Sequence, residues 1–220
     1  MRSQPGKDLV VLVADKDAEQ AVGTLLRDRT SSLEIRPLTF QVYRHHQHDP
    51  GVRVRAHDFL RSMARAYRRA LVVFDLEGCG REDAKREQIE QEVEDRLLSS
   101  GWESDRAAAV VVAPELEAWV WGRTGRVAQI LGAGATELQE AVEEFGVLES
   151  GKLTQPKEAL RHVLSSVCGR PWSSALFADF AREMGRFDDC QDRAFGKLLS
   201  TLRRWFPADP QADPPSPAPE

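Results

Sequence analysis

Leu71-Val72-Val73-Phe74-Asp75-Leu76-Glu77-Gly78-Cys79-Gly80 decides the fold. A short apolar run that stops at turn formers reads as a strand buried on both faces of a parallel sheet. Two acids close it, Asp75 and Glu77, and acids ending a wholly apolar strand have no packing reason to be there. Working outward, Leu9-Val10-Val11-Leu12-Val13 is a run of the same kind and ends at Ala14-Asp15-Lys16-Asp17. Residues 107–113 form another, closed by Pro114 and followed by Glu115-Leu116-Glu117. Residues 33–43 read as a further extended segment, with Pro37 marking an edge position or a bulge.

Helical spacing fills the gaps between these strands. Ala18, Ala21, Val22, Leu25 and Leu26 follow the first strand, and Ile89, Val93 and Leu97 lie four apart before a stop near Gly101. Residues 45–51 read as a loop from their Asp-Pro-Gly turn chemistry. Ala56, Phe59, Leu60, Met63 and Tyr67 then mark one face of a helix. The alternation predicts an α/β fold, a parallel sheet with helices on both faces and right-handed crossovers. In such sheets functional groups collect at the carboxyl ends of the strands.

After Trp121 the pattern turns helical, with segments at 126–131, 136–145, 157–167, 174–184 and 192–206. Pro156 and Ser173 suit helix starts, and Gly146 and Gly185 suit stops. The expected organisation is an α/β domain over 1–122, a helical C-terminal subdomain over 123–206, and a disordered tail over 207–220, which holds six prolines.

The 220 residues are 41% hydrophobic and 30% charged, with a net charge of -5, which excludes general nucleic-acid binding by bulk attraction. No run approaches the roughly 18 apolar residues of a membrane span. The opening residues do not read as a signal peptide, and Cys79, Cys168 and Cys190 follow no zinc pattern, so a reducing cytoplasm is expected. No Walker A or Gly-x-Gly-x-x-Gly fingerprint is present. Seven arginines stand between Arg44 and Arg69. They read either as solvated helix faces or as a phosphate-binding surface built on Arg53, Arg55, Arg61 and Arg65.

The acids at the strand ends carry two readings each. Asp15 caps the first helix or binds metal, and Glu115 and Glu117 are first-turn acids or ligands. Asp75 is the strongest ligand candidate. An extended Asp-x-Glu places Asp75 and Glu77 on one face, where they can share a hard cation such as Mg²⁺. Gly78 and Gly80 let backbone pass close to a ligand. His45, His46, His48 and Asp49 read as a solvated loop, or as a transition-metal cluster. The neighbours of Cys79 would raise its thiol pKa, which argues against a nucleophile.

The strand ending in Asp-x-Glu and the Val-Ala-Asp-Lys-Asp-Ala-Glu strand end resemble the Toprim domain, the metal-binding fold of topoisomerases, primases and several bacterial nucleases. Pro114-Glu115-Leu116-Glu117-Ala118-Trp119 resembles the signature of Toprim-like proteins of bacterial antiphage defence islands, and Pro156-Lys157 matches their downstream Pro-Lys pair. The likeness covers roughly residues 8–122. It departs from the pattern where Ala14-Asp15 replaces the Glu-Gly of the first strand. The resemblance implies Mg²⁺ or Mn²⁺ held by Asp75, Glu77, Asp15 and Glu117, with Asp15, Glu115 and Lys157 in catalytic roles. The activity it implies is phosphodiester hydrolysis by a nuclease, or a nuclease subunit, of a defence complex with other proteins. The alternatives are a catalytically degenerate sensor or assembly subunit, and hydrolysis of small phosphate esters.

Overall fold

The computed structural model describes residues 6–146, 153–183 and 192–208. Four parallel strands, β1 (Lys7–Val13), β2 (Phe40–Arg44), β3 (Tyr67–Asp75) and β4 (Ala107–Val112), lie in the order β2-β1-β3-β4. Val13 stands opposite both Arg44 and Val73, and Asp75 opposite Val112, so the strands finish level. Helix α1 (Lys16–Asp28) follows β1 and a short α2 (Thr30–Leu33) follows α1; α3 (His48–Leu60) and α4 (Arg86–Ser99) lead into β3 and β4.

Strand alternation divides the core in two. Leu9, Val11, Val13, Leu71, Val73, Val110 and Val112 face α1 and the C-terminal helices. Val10, Leu12, Ala70, Val72, Phe74, Ala109 and Val111 face α3 and α4. The α/β reading with helices on both faces is therefore correct. The C-terminal helices are α5 (Thr124–Leu131), α6 (Ala135–Glu143), α7 (Pro156–His162), α8 (Ala175–Glu183) and α9 (Arg193–Trp205). They share one core with α1 rather than gathering around a second one.

Several sequence expectations need correction. Residues 33–43 are not one extended segment: α2 ends at Leu33, Glu34 takes a left-handed conformation (φ 56°), and only Phe40–Arg44 is strand. The edge position holds, because β2 pairs with β1 alone. The stretch 45–51 is not all loop. Helix α3 starts at His48 and carries Pro50 in its first turn, where a missing N–H costs nothing. Tyr67 belongs to β3, and a 3₁₀ turn, Arg61–Met63, separates that strand from α3. Pro207 bridges to Ile35. Residues 209–220, Gly185 and Cys190 lie outside the described residues. Among the described residues no helix is long and apolar enough to cross a membrane.

The β4 edge is closed by side chains. The Glu94 carboxylate accepts from the Ala109 amide at 2.9 Å and Glu90 from the Val111 amide at 3.0 Å. Lys197 of α9 binds both carboxylates, at 3.1 and 2.9 Å. Edge amides left free would template pairing with another chain, and these two are not free.

Candidate metal centre at the strand ends

The chain runs from β1 through α1 to β2 on one side, then through α3 on the opposite face to β3 on the other. The order reverses between β1 and β3, and the crevice outside their carboxyl ends is where open α/β sheets bind ligands. Asp15, Asp49 and Asp75 all arrive there.

Beyond β3 the ladder with the following segment continues, with Leu76 N–H on Val112 O at 2.7 Å and Glu77 N–H on Pro114 O at 3.0 Å. The chain then winds into a 3₁₀ helix, Leu116–Arg123. This turn buries Glu115 and Glu117, only 4% and 2% exposed, against the end of β3. One carboxylate oxygen from each of Asp75, Glu115 and Glu117 lies within 4.8 Å of the other two. The same turn is pinned by its indoles. Trp121 Nε1 donates to the Pro156 carbonyl at 2.8 Å, directly before Lys157, and Trp119 Nε1 donates to Asp192, the N-cap of α9. Trp121 thus seats α7, and Lys157 Nζ reaches Glu115 at 3.1 Å.

The charges here are under strain. Burial first, then the charges of Asp49, Glu117 and Asp15, push the Asp75 carboxyl well above the usual carboxylate range, against a backbone hydrogen bond from Leu116. Burial raises Glu115 although Lys157 opposes it. Burial also lifts Glu117 to about 7, again against Lys157. Burial works against the Lys157 charge, but Glu117, Glu115 and Asp75 together hold its pKa above the ordinary value. Glu117 Oε2 is buried with no hydrogen-bond partner. An unpaired carboxylate oxygen in such a place is costly unless a cation meets it. Every donor in the ring is a carboxylate oxygen, which suits a hard cation. The ring can hold a metal ion.

No family model, curated protein or solved structure matches the chain.

The structure brings Asp75, Glu115, Glu117 and Lys157 together and leaves other candidates at the margin. Glu77 is exposed and stands outside the ring of three; its charge acts on Glu115. Asp15 is the N-cap of α1, accepting from the Ala18 amide at 2.9 Å. It stands outside the ring, although its charge acts on both Asp75 and Asp49. Asp49 has a part that the loop reading of 45–51 hid: its carboxylate accepts from the Asp75 amide at 2.8 Å, and burial raises its pKa. No local signal marked it, since Asp49 sits in a turn-forming stretch and meets Asp75 only where β3 arrives beside it. Among the described residues the only His, Cys and acid group spaced for a metal is this ring, so the histidines form no second centre, and His45 is buried rather than solvated.

The arginines do not form one face. Arg53 Nε donates to the Cys79 carbonyl at 2.7 Å, so it braces the loop after β3. Arg55 is exposed on α3. Arg61 and Arg65 precede the start of β3 at the opposite end of the sheet, a strand length of roughly 25 Å from the acids. Helical periodicity groups residues by face, and the helix then carries that face away from the site. As expected, burial pushes the Cys79 thiol up, away from nucleophilic use.

Proposed function

We propose that this chain is a Toprim-like, metal-dependent phosphodiester hydrolase, a nuclease or nuclease subunit of a prokaryotic antiphage defence system, working in the cytoplasm with other proteins. The observation that carries the reading is the unpartnered, buried Glu117 Oε2 inside a ring of three carboxylates served by one ammonium. Mg²⁺ or Mn²⁺ is the fitting ion, held by Asp75, Glu115 and Glu117, with Asp15 and Glu77 at the edge of the site. Such an ion supplies Lewis-acid polarisation of a phosphoryl oxygen. The chain's own residues do the rest. Lys157, fixed by Glu115 and by the Trp121 clasp on Pro156, offsets negative charge growing on the phosphate. Asp49 holds the Asp75 backbone and so aims its carboxylate.

One observation favours a second reading, a degenerate sensor or assembly subunit. The first strand end offers Ala14 and an aspartate already engaged as a helix cap, where an enzyme of this kind is expected to carry a glutamate.

Titration calorimetry with Mg²⁺ and Mn²⁺, run beside cleavage of labelled DNA and RNA, separates the two. The hydrolase reading expects binding and cleavage by the wild type and neither by Asp75→Asn. Absence of binding at millimolar metal overturns it, and metal binding without turnover on any nucleic acid or phosphate ester favours the assembly subunit.

A further inference from the structure

β2 is the other edge of the sheet, and nothing closes it as Glu90 and Glu94 close the edge at β4. The Leu9 amide donates to Thr39 O at 3.1 Å, and the His45 amide to Val13 O at 2.9 Å. With the parallel register running from Leu9 opposite Phe40 to Val13 opposite Arg44, Gln41 and Tyr43 turn their N–H and C=O groups toward β1. Those of Phe40, Val42 and Arg44 point away from it. Among the described residues no other backbone or side chain meets these outward groups. The strand holds its register throughout and contains no proline, and its one charge, on Arg44, is paired with Glu19. An edge in this state is a template for a further strand.

The surface beside that edge is self-complementary. A groove of about 630 Å³ runs between α1 and β2, with Glu19, Gly23, Arg27, Phe40 and Val42 among its lining. At one end Arg44 Nε meets Glu19 Oε2 at 2.9 Å. In the middle a Cβ on Gly23 would stand 3.8 Å from Val42 Cγ2, so these two residues lie side by side. Arg27, four residues beyond Gly23 on the same helix face, lies at the other end. Half a turn about an axis through Val42, perpendicular to the sheet, therefore brings the Glu19 end of one copy beside the Arg27 end of another. The charges suit that exchange. Arg27 is exposed and has no ion pair among the described residues, and Glu19 engages Arg44 through one oxygen only. Phe40 and Val42 are only partly buried against the core on this face, so a second strand laid alongside would cover them further.

We infer that two copies of this chain pair through antiparallel β2 strands, Val42 facing the partner's Val42 and Phe40 facing the partner's Arg44, with Glu19 taking the partner's Arg27. Each of these facing strand pairs exchanges both of its N–H···O bonds. The sheet then runs unbroken from β4 through β2 of one copy and back from β2 to β4 of the other, an isologous contact that closes on itself. A second copy is the fitting occupant because Glu19 and Arg27 stand at equal sequence distances on either side of Gly23, a match that an unrelated extended segment has no reason to use. The carboxylate rings lie off this edge, between β3 and the segment after β4, so the pairing stands or falls separately from the hydrolase reading.

Sedimentation velocity of the full chain over a range of concentrations, with amide hydrogen exchange, tests the pairing. The wild type is expected to dimerise, and exchange at Phe40, Val42 and Arg44 to slow as concentration rises. Val42→Pro removes an amide that β1 does not use, at a position where an edge strand tolerates proline, and should weaken the dimer about tenfold or more. Arg27→Glu and Glu19→Arg each set like charges together at both ends of the contact and should each weaken it about tenfold. An equimolar mixture of those two variants restores opposite charges at both ends and should associate nearly as tightly as the wild type. Thermal melts check that each variant folds, and the rescue by mixing carries the test if Val42→Pro does not. A chain that stays monomeric at submillimolar concentration, with the three amides exchanging freely, overturns the inference and leaves the edge to an extended segment of another protein. A dimer indifferent to these substitutions, or a mixture no tighter than its parts, overturns it as well.

Discussion

On α4, Glu90 and Glu94 meet Lys197 of α9; at the strand ends, Glu115 and Glu117 share Lys157 of α7 with Asp75. The parts are the same, grouped carboxylates meeting a lysine of a later helix. In the first cluster both acids also hold a β4 amide, Glu90 that of Val111 and Glu94 that of Ala109, and Arg193 stands 3.9 Å from Glu90. In the second, three acids face one ammonium, a fourth carboxylate, Asp49, stands behind, and Glu117 Oε2 finds nothing. The α4 cluster is finished as folded. The strand-end cluster is short of positive charge, and buried carboxylates in that state call for a cation or for protons. Density of acids therefore does not identify the site; incomplete pairing does.

The sharpest way to break the contrast is to change one charged residue in each cluster and read stability and binding separately. Asp75→Asn is expected to cost about 100-fold or more in Mn²⁺ affinity, beyond the roughly 10–100-fold lost with a group that only supports a ligand, and to abolish any cleavage. Metal-free, it should melt no lower than wild type, because the substitution relieves repulsion from Asp49, Glu117 and Asp15. A large fall in melting temperature would mean that Asp75 is structural and would erase the distinction.

Lys197→Met carries the opposite signature. It leaves Glu90 buried without its ammonium, which costs about 3 kcal/mol and lowers the melting temperature by roughly 6–12 °C for a chain of this size. Mn²⁺ affinity should not change. Differential scanning calorimetry and the metal titration together check both halves.

The next effect is in pH. Glu117 has a folded-state pKa of about 7, raised from an ordinary 4.5. Between those values the folded chain binds more protons than the unfolded one, so metal-free stability is full below about pH 4.5 and falls as pH rises through 7. The loss is on the order of 2–3 kcal/mol. Denaturant melts at pH 5 and pH 8 should show it, saturating Mg²⁺ should offset it at pH 8, and Glu117→Gln should flatten the slope. A metal-free protein equally stable at both pH values would mean that Glu117 is not held as described.

The sequence revealed the sheet and Asp75 for the same reason. A strand buried on both faces must be apolar without interruption, so the three runs and the acids that end them stand out. It blurred what long-range contact decides. Phe40–Arg44 is a partly exposed edge strand, and its start was misplaced because α2 and a left-handed Glu34 precede it. Asp49 sat in a turn-forming stretch, and only the arrival of β3 beside it turns its carboxylate toward the Asp75 amide. The readings of Glu115 and Glu117 as ligands or as first-turn acids could not be separated locally, since the 3₁₀ turn that buries them is clamped by Trp119 on Asp192 and by Trp121 on Pro156, both in distant segments. Lys157 in the site follows from the second of those clamps.

Asp15 lies between the two kinds of cluster and gives the smallest, most discriminating effect. One of its oxygens already caps α1 through the Ala18 amide, as a finished group would be, while its charge acts on Asp75, as a member of the site would. Asp15→Ala removes both and should cost about 1 kcal/mol of stability. Asp15→Asn keeps a capping oxygen and removes only the charge, so stability should change by a few tenths of a kcal/mol at most. Because Asp15 stands outside the ring of three, the asparagine variant is expected to hold Mn²⁺ within about threefold of wild type, whereas loss of a group that supports a ligand costs about 10–100-fold. A loss of about 100-fold or more in Asp15→Asn with unchanged stability, beyond that of a supporting group, would move Asp15 into the coordination shell. It would also show that the end of β1 belongs to the metal site through Asp15.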